Sequence, residues 1–449
     1  MSTTRRTFLQ TSVAAPLAAT YAASSTMKPV SANDKIRIAL IGAGGMGQGD
    51  TRASLDTGAT ELVAAADIYQ GRLTRVQERW GSQVFVTRDY REILARRDID
   101  AVIVATPDHW HSRITIEAME AGKDVYCEKP MVQKHDQGTA VVAAQQRTGR
   151  TFQVGSQYVS NVIFHKVRDL LQAGAIGELN LVEAWLDRNS AIGAWQYTLP
   201  LDATPENIDW DTFLGSAPKR PFEPIRLFRW RNYSDYGTGL AGDLYVHLLS
   251  GLHTATGSLG PVRVYATGGT RYWKDGRDAP DVQLSLLDYP KTDRHPEFSL
   301  SLQVNFASGA ATEQFGLKFY GREGVISVTP TSLSLAKPPK ETDPGMSVDS
   351  FAKAMQDRLI AQHREKYPLW KPSAATIPEQ SETRFVTPSG YNMHSEHHKA
   401  FVEAVRAHRP SVEDAVVGLR AAGPALLCNT SQFSGKICHW DPERMTVVT

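Results

Sequence analysis

The stretch from Lys35 to Asp50, KIRIALIGAGGMGQGD, constrains the fold more than any other part of the chain. An apolar, β-branched run is followed directly by five glycines within eight residues. Because glycine loses more backbone entropy on ordering than any other residue, such a cluster indicates a turn that another group must approach closely. Gly42, Gly44 and Gly47 form the spacing G-x-G-x-x-G at the end of the predicted first strand.

An acidic residue farther along gives this turn a chemical meaning. Asp67 ends the predicted second strand, twenty residues after Gly47. In such a strand-helix-strand unit a pyrophosphate binds to the turn and to the first amides of the helix, which here are those of Gly45 and Met46. The acid accepts a hydrogen bond from a ribose hydroxyl. We therefore predict a dinucleotide site. A carboxylate repels a 2′-phosphate, which favours NAD over NADP, but the nearby Arg72 leaves NADP open.

The rhythm of apolar runs predicts two domains. Between residues 35 and 155, short apolar runs alternate with helical patterns, which favours a parallel sheet with helices on both faces. From residue 156 to 449, longer stretches alternate apolar and polar residues, which is typical of an antiparallel sheet with one buried face. A proline-rich arm near 336–390 has one helical candidate, 348–364. The predicted strands include 36–41, 62–66, 101–105, 125–127, 178–187, 262–269, 298–306 and 324–330, and the predicted helices include 74–80, 111–121, 134–147 and 240–254.

The first 32 residues have the features of an export signal. Arg5 and Arg6 precede an alanine-rich apolar stretch, and small residues around Ala32 offer a cleavage site. The apolar stretch is too short to span a membrane, so we predict no stable membrane insertion. The paired arginines are similar to a twin-arginine signal and predict a periplasmic protein.

Charge and metal-ligand patterns exclude several classes of partner. The chain carries 49 Lys and Arg against 48 Asp and Glu, so no basic excess points to nucleic acid. Its three cysteines form no C-x-x-C pair and indicate neither a disulfide framework nor a zinc site. His394, His397 and His398 could share a helical face, but no glutamate completes a zinc-hydrolase pattern. We expect a small-molecule partner and no metal.

Five motifs together resemble a known family. They are IGAGGMG (41–47), ATPDHWH (105–111), CEKP (127–130), GTGLAGDLYVHLL (237–249) and HHKAFVEAVRAHRPS (397–411). With them the chain resembles the glucose-fructose oxidoreductase, inositol dehydrogenase and MocA family over nearly all of its length after residue 32. The resemblance implies an α/β fold: an N-terminal Rossmann domain, 35–155, with a doubly wound parallel sheet, and an α+β domain, 156–449, with an open, mainly antiparallel sheet for substrate binding and oligomerisation. It also implies NAD, a carbohydrate substrate and a homo-oligomer, dimer or tetramer.

The same resemblance assigns catalytic roles. Hydride transfer from a carbinol needs a base for the hydroxyl proton and a cation beside the developing alkoxide. Lys129 follows a parallel strand, at the edge where open α/β sheets bind ligands. Asp243 and His247 are four residues apart and share a face of the predicted helix. The family pattern makes His247 the acid/base, lets Lys129 hold the reacting hydroxyl, and has Asp243 contact substrate or orient the imidazole. Ser250 stands where many relatives carry an acid.

Further residues are expected around the cofactor and the substrate. His111 completes the family's Thr-Pro-x-x-x-His and either supports the nicotinamide side of the pocket or only starts a helix. On the cofactor side the resemblance implies contacts from Thr106, Pro107, His111, Glu128 and Lys129. Aromatic or polar side chains near the predicted domain junction suit a sugar, and ordinary packing explains them equally well. These side chains are Tyr158, Arg188, Trp230 and Tyr236.

Three functions compete at this stage. An exported dinucleotide enzyme needs a cofactor that stays bound, because the periplasm offers no ready NAD pool. The first function is an oxidoreductase of a sugar, polyol or glycoside with tightly bound NAD. The second is a redox-assisted glycoside hydrolase, which needs one more acid/base, either Tyr158 or Tyr236. The third, a non-catalytic sugar-binding protein, is disfavoured by the presence of both Lys129 and His247.

Overall fold

The computed structural model describes residues 34–337, 345–368 and 382–448. The predicted signal peptide, 1–32, and parts of the predicted arm lie outside these ranges. The N-terminal domain has a six-stranded parallel sheet with the order β3-β2-β1-β4-β5-β6. Its strands are β1 Ile36–Ile41, β2 Thr60–Ala66, β3 Phe85–Thr87, β4 Ala101–Val104, β5 Asp124–Cys127 and β6 Phe152–Val154.

Helices cover both faces of this sheet, which explains why β1, β2, β4 and β5 are mostly apolar and buried. The helices are α1 Gly45–Leu55, α2 Gln70–Trp80, α3 Tyr90–Ala95, α4 Asp108–Glu120 and α5 Gly138–Thr148. The strand order reverses between β1 and β4, and this reversal opens a crevice at the carboxyl ends of the strands. The prediction of a doubly wound parallel sheet is confirmed.

The second sheet has ten strands in the order β14-β13-β12-β11-β7-β10-β9-β8-β15-β16. Every pair is antiparallel except β7 with β10. The prediction of an open, mainly antiparallel sheet is thereby confirmed. The strands are β7 Leu179–Asp187, β8 Arg263–Gly269, β9 Val282–Tyr289, β10 Phe298–Asn305, β11 Gln314–Gly321, β12 Gly324–Val328, β13 Ser332–Ala336, β14 Glu382–Val386, β15 Cys438–Asp441 and β16 Thr446–Val448.

One face of this sheet is buried under helices, and the other is open. The Ala266 amide on β8 donates a hydrogen bond to Ser431 Oγ on the last helix at 2.9 Å. On the open face Tyr265, Leu284 and Leu286 are exposed. The helices are α6 Val162–Gln172, α7 Trp210–Leu214, α8 Pro224–Phe228, α9 Val246–Thr256, α10 Lys353–Lys366, α11 Met393–Ala407 and α12 Ala415–Ser434. No helix in the described ranges is long and apolar enough to cross a membrane.

Two segments differ from the sequence expectation. The predicted helix at 348–364 is split into a 3₁₀ turn, Met346–Ser350, and α10, while β14 pairs with β13 as an edge strand. Helix α11 lies within the sequence range of the predicted second domain but packs on the first domain. Phe401 and Val402 join the core beneath β1, and Gln153 Nε2 donates to the His397 carbonyl at 2.8 Å. The C-terminal segment therefore ties the two domains together.

Candidate active site

The glycine turn after β1 is shaped by close backbone contacts. Gly42 has φ +95°, and a Cβ there would lie 2.6 Å from the Ala105 carbonyl, so the left-handed backbone and the lack of space both require glycine. A Cβ on Gly47 would lie 2.2 Å from the Gly42 carbonyl oxygen. A Cβ on Gly45, in contrast, would meet nothing within 4 Å. No side chain caps the start of α1, so its first amides are available to an anion, and the turn fits a pyrophosphate.

Asp67 is fixed beside this turn. Its Oδ2 accepts a hydrogen bond from the Ala43 amide at 2.8 Å, and its Oδ1 accepts one from the Tyr69 amide at 2.9 Å. Arg72 Nη1 lies 3.4 Å from Oδ2, and its guanidinium stands 5.4 Å from the centre of the Phe228 ring. The acid and the arginine that bear on the choice between NAD and NADP are therefore direct neighbours.

A cavity of about 500 Å³ runs from the glycine turn to Lys129. Its inner wall contains nearly all the residues expected on the cofactor side: Gly42, Gly44, Gly45, Met46, Asp67, Thr106, Pro107, His111, Glu128 and Lys129. Its outer wall comes from residues 197–231, which we call the covering segment. From that segment the cavity is lined by Tyr197, Thr198, Thr212, Phe213, Leu227, Phe228, Trp230 and Arg231.

The covering segment is attached to the Rossmann domain at several points. The Asp209 amide donates to the Ile68 carbonyl at 2.9 Å, and the Trp110 indole donates to the Phe213 carbonyl at 3.1 Å. The Tyr69 hydroxyl donates to Asp202 at 2.5 Å. A molecule in the cavity is thus enclosed between the glycine turn and the covering segment.

Lys129 makes a buried ion pair at the far end of the cavity. Its Nζ donates to the Asp243 carboxylate and to the Asp243 carbonyl, both at 3.0 Å. Arg231 Nε donates to the same carboxylate oxygen, Oδ1, also at 3.0 Å. Asp243 lies in a π-helical turn, Ala241–Tyr245, that precedes α9, where the sequence predicts regular helix; such turns are common at functional sites. Burial alone would raise the pKa of Asp243, but the two cations hold it well below its usual range.

His247 stands one turn further along the same helix. It is partly accessible, and neither ring nitrogen has a hydrogen-bond partner among the described residues; its Nδ1 is buried. Burial and the Lys129 charge lower the pKa of His247 well below its usual value, so the imidazole is neutral and can accept a proton. The edge of the Tyr158 ring packs on it with 5.3 Å between ring centres, and Tyr158 itself stacks on Phe315.

Two further carboxyl groups line the cavity near Lys129. Asp108 Oδ2 accepts from the Thr238 hydroxyl at 2.7 Å, while its buried Oδ1 has no partner among the described residues. Burial and the nearby Asp243 charge raise the pKa of Asp108 to about 7. Burial and Asp50 raise the pKa of Glu128 well above its usual range, which keeps this side chain protonated.

His111 braces the loops that carry these groups. Its Nδ1 lies 2.7 Å from the Pro130 carbonyl oxygen and its Nε2 lies 2.7 Å from the Thr106 carbonyl oxygen. Burial lowers the pKa of His111 to about 4, against the effect of both carbonyls. His111 therefore links the loop after β4 to the loop after β5 and holds the backbone next to Lys129 in place.

Other predicted residues lie apart from this cluster. Tyr236 does not line the cavity: it is fully buried against His109 and Phe213, so its ring packs instead of facing a ligand. Arg188 Nε pairs with Glu313 at 2.5 Å and does not line the cavity, although its charge still lowers the pKa of Asp243. Trp230 lines the cavity as part of the covering segment.

Two of the three histidines with metal-like spacing make structural contacts. His397 Nε2 lies 2.7 Å from the Val154 carbonyl oxygen, and its Nδ1 lies 2.8 Å from Ser160 Oγ. His398 stacks on Tyr126 with ring centres 4.3 Å apart. In the described part of the chain, no group of three or more His, Cys, Asp or Glu side chains is placed to hold a metal ion.

Sequence reasoning did not single out Arg231 or Asp108. Arg231 is twelve residues before Asp243 and follows a tryptophan, a pattern that carries no spacing signal of its own. Asp108 does fall within the ATPDHWH motif, at the carboxyl end of a parallel strand, and that place was the available clue.

Comparison with known proteins finds two family profiles that match separate parts of the chain. Residues 36–156 match a family profile described as an oxidoreductase family with an NAD-binding Rossmann fold, and residues 186–265 match the profile of that family's C-terminal alpha/beta domain. The chain is 30% identical over 181 residues to an inositol 2-dehydrogenase of Rubrobacter xylanophilus. The matched segment covers 39% of this chain and 51% of that protein.

Two other similarities are to a curated relative and to a solved structure. A glycosyl hydrolase family 109 protein of Shewanella baltica is 32% identical over 158 residues, 32% of this chain and 34% of that protein. The matched segment therefore spans between a third and half of these relatives' own lengths. A levoglucosan dehydrogenase in complex with NADH and levoglucosan superposes with a TM-score of 0.61 and 17% identity, over 90% of this chain and 98% of that one, which supports the fold alone.

Proposed function

We propose that the chain belongs to the Gfo/Idh/MocA oxidoreductase family, whose two profiles match parts of it, and that it is an NAD-dependent oxidoreductase acting on a CH–OH group of a sugar, polyol or glycoside. The observation that carries the proposal is the arrangement at the inner end of the dinucleotide cavity. There Lys129 is held by Asp243, and His247 is neutral with no hydrogen-bond partner among the described residues.

The chain's own residues divide the chemistry between them. Lys129 holds the reacting hydroxyl and stabilises the developing alkoxide, since its ammonium is buried and fixed in place. His247 takes the hydroxyl proton directly or through Lys129. A nicotinamide bound at this end supplies the hydride acceptor. Asp243 keeps Lys129 and Arg231 oriented, and His111 braces the Lys129 loop.

We further infer that NAD is the cofactor and stays bound between turnovers. The Asp67 carboxylate beside the glycine turn disfavours a 2′-phosphate, and the covering segment encloses the cavity.

Purified protein should release NAD on denaturation. Asp67→Ala should weaken NAD retention about tenfold to a hundredfold, because a charged hydrogen bond to the ribose is lost. Asp56→Ala, an exposed acid after α1, is the control. Recovery of NADP by mass spectrometry, or unchanged retention in Asp67→Ala, would contradict this assignment.

Incubation with sugars, polyols and aryl glycosides, without added NAD, tests the activity itself. An oxidoreductase reduces the bound cofactor, so absorbance at the reduced-nicotinamide band rises in a single turnover, and deuterium at the reacting carbon slows that rise. A protein that binds these compounds but never reduces its cofactor would be a sugar-binding module.

A redox-assisted glycoside hydrolase is the second candidate. It is favoured by the similarity to the family 109 glycosyl hydrolase and by Asp108, whose unpartnered oxygen lies at the cavity wall. In that route a carbinol is oxidised, the acidified neighbouring C–H loses its proton, the glycosidic C–O bond breaks, water adds and the hydride is returned. Asp108, and not Tyr158 or Tyr236, is the cavity-lining group that could supply the extra acid/base. Release of the aglycone with no net cofactor reduction would identify this reaction.

We propose periplasmic export by the twin-arginine route, based on the sequence around Arg5 and Arg6. That route carries folded cargo and would deliver the protein with its cofactor already enclosed. Replacing both arginines with lysine should leave the precursor in the cytoplasm, as detected by fractionation and immunoblotting. Lys28→Gln, in the same segment, is the control. Normal export and processing of the double variant would exclude this route.

We also propose a homo-oligomer, a dimer or a tetramer, built on the open face of the ten-stranded sheet. Tyr265, Leu284 and Leu286 are exposed there on neighbouring strands β8 and β9, and a contiguous apolar patch favours association. Light scattering on the purified protein tests this, and a monomer at micromolar concentration would contradict it.

A further inference from the structure

The inner end of the cavity holds two cations on a single carboxylate oxygen. Lys129 Nζ and Arg231 Nε each lie 3.0 Å from Asp243 Oδ1. The Lys129 and Asp243 side chains are 8% and 7% exposed, and the Arg231 side chain is 22% exposed. One carboxylate therefore balances two largely buried positive charges.

The remaining groups at this end do not supply a full second negative charge. Glu128 is protonated, because burial raises its pKa well above the usual range. Asp108, with its pKa raised to about 7 by burial and Asp243, is only partly ionised at neutral pH. His247 and His111 are neutral, because burial lowers the pKa of each. Arg188 is already paired with Glu313. An oxidised nicotinamide ring would add yet another positive charge.

Arg231 is the cation with donors to spare. Only its Nε is used, and its two terminal nitrogens have no hydrogen-bond partner among the described residues. The guanidinium lies 4.3 Å from the centre of the Trp230 ring, which fixes its plane, and both residues line the cavity. Two parallel N–H donors in one plane match the two oxygens of a carboxylate.

We propose that Arg231 binds a carboxylate on the substrate, so that the compound oxidised here is a sugar acid, such as a uronate or an aldonate. This inference rests on the proposed function and names its substrate class. The carboxylate supplies the negative charge that the site lacks, and it sets the orientation of the carbinol relative to Lys129. Arg231 is in this sense a specificity residue and takes no part in the chemical step.

Calorimetric titration of the protein as purified tests the proposal without requiring turnover. The probes are matched pairs, D-glucuronate with D-glucose, D-galacturonate with D-galactose and D-gluconate with D-glucitol, together with glucose 6-phosphate. The wild type should bind at least one acid about tenfold to a hundredfold more tightly than its neutral partner, the range expected for a charged hydrogen-bonded contact. Arg231→Gln should lose that preference and keep its bound cofactor. Arg231→Lys, which keeps the charge but lacks the fork, should retain part of it.

Arg226→Gln is the matched control. Arg226 belongs to the same covering segment, but its guanidinium pairs with Glu223 and does not line the cavity, so the preference should survive. Equal binding of acids and neutral sugars, no binding of any acid, tighter binding of the sugar phosphate, or a preference that persists in Arg231→Gln would each overturn the proposal. Because binding is read independently of hydride transfer, acid preference without cofactor reduction would refute the proposed function alone, and reduction by neutral sugars without acid preference would refute this inference alone.

Discussion

Lys129→Met should leave NAD bound and reduce single-turnover hydride transfer by roughly a hundredfold to ten-thousandfold. Removing one preorganised donor from a developing oxyanion typically costs about two to three orders of magnitude, and loss of a proton-transfer partner has a comparable effect. Lys129 is at the opposite end of the cavity from the Gly42–Gly47 turn, so pyrophosphate binding should be unaffected. Asp243 keeps Arg231 as its partner in the variant, which limits the cost to folding.

Three measurements separate a chemical role from a structural one. Cofactor content after purification and the thermal unfolding midpoint should match those of the wild type, while reduction of the bound cofactor is lost. Lys134→Met, an exposed lysine five residues away, should behave as wild type. Lys129→Arg, which keeps a cation but changes its shape, should recover part of the rate. Near wild-type turnover in Lys129→Met would show that this residue only pairs with Asp243.

Local patterns were sufficient for the parallel sheet and the glycine turn. The apolar runs of β1, β2, β4 and β5 are short and buried on both faces, so period and composition alone locate them. Helix starts were placed less well: α2 begins at Gln70 and α4 at Asp108, three or four residues before the predicted starts. The first turn of α2 begins with Gln70 and Gly71, and the first turn of α4 begins with Asp108 and His109, which are buried but polar, so neither start carries an aliphatic signal.

Contacts between distant segments could not be predicted in this way. Arg231 reaches Asp243 only because the covering segment folds back over the Rossmann domain, through Asp209 and the contacts of Phe213. The same packing of the covering segment buries Tyr236 in an aromatic cluster, although the Tyr236 hydroxyl had suggested a contact with a sugar. The pattern of a single segment cannot tell a ring that packs from a ring that lines a cavity, because that depends on its non-local neighbours.

His247→Ala should also lose turnover by about two to four orders of magnitude, with little change in stability. A histidine that serves the core is normally hydrogen-bonded, but neither nitrogen of His247 has a partner among the described residues, so its removal breaks no bond there. What is lost is packing against Tyr158 and a neutral base beside Lys129. His439→Ala, an exposed histidine on β15, is the control.

The pH dependence gives His247 a signature that packing alone would not produce. His247 acts as a base only when neutral, so kcat/KM falls as the pH drops through its pKa. Burial and the Lys129 charge hold that pKa below the usual value, and the wild type should therefore keep this base function at pH 6, where an ordinary imidazole is mostly protonated. A change in kcat/KM near pH 7 would come from ionisation of Asp108 and should be absent in Asp108→Asn. The fall in kcat/KM at more acidic pH should disappear only in His247→Ala, and added imidazole should restore part of the rate of that variant. An unchanged acidic limb in His247→Ala, or near wild-type turnover, would assign the proton transfer to another group and leave His247 as packing for Tyr158.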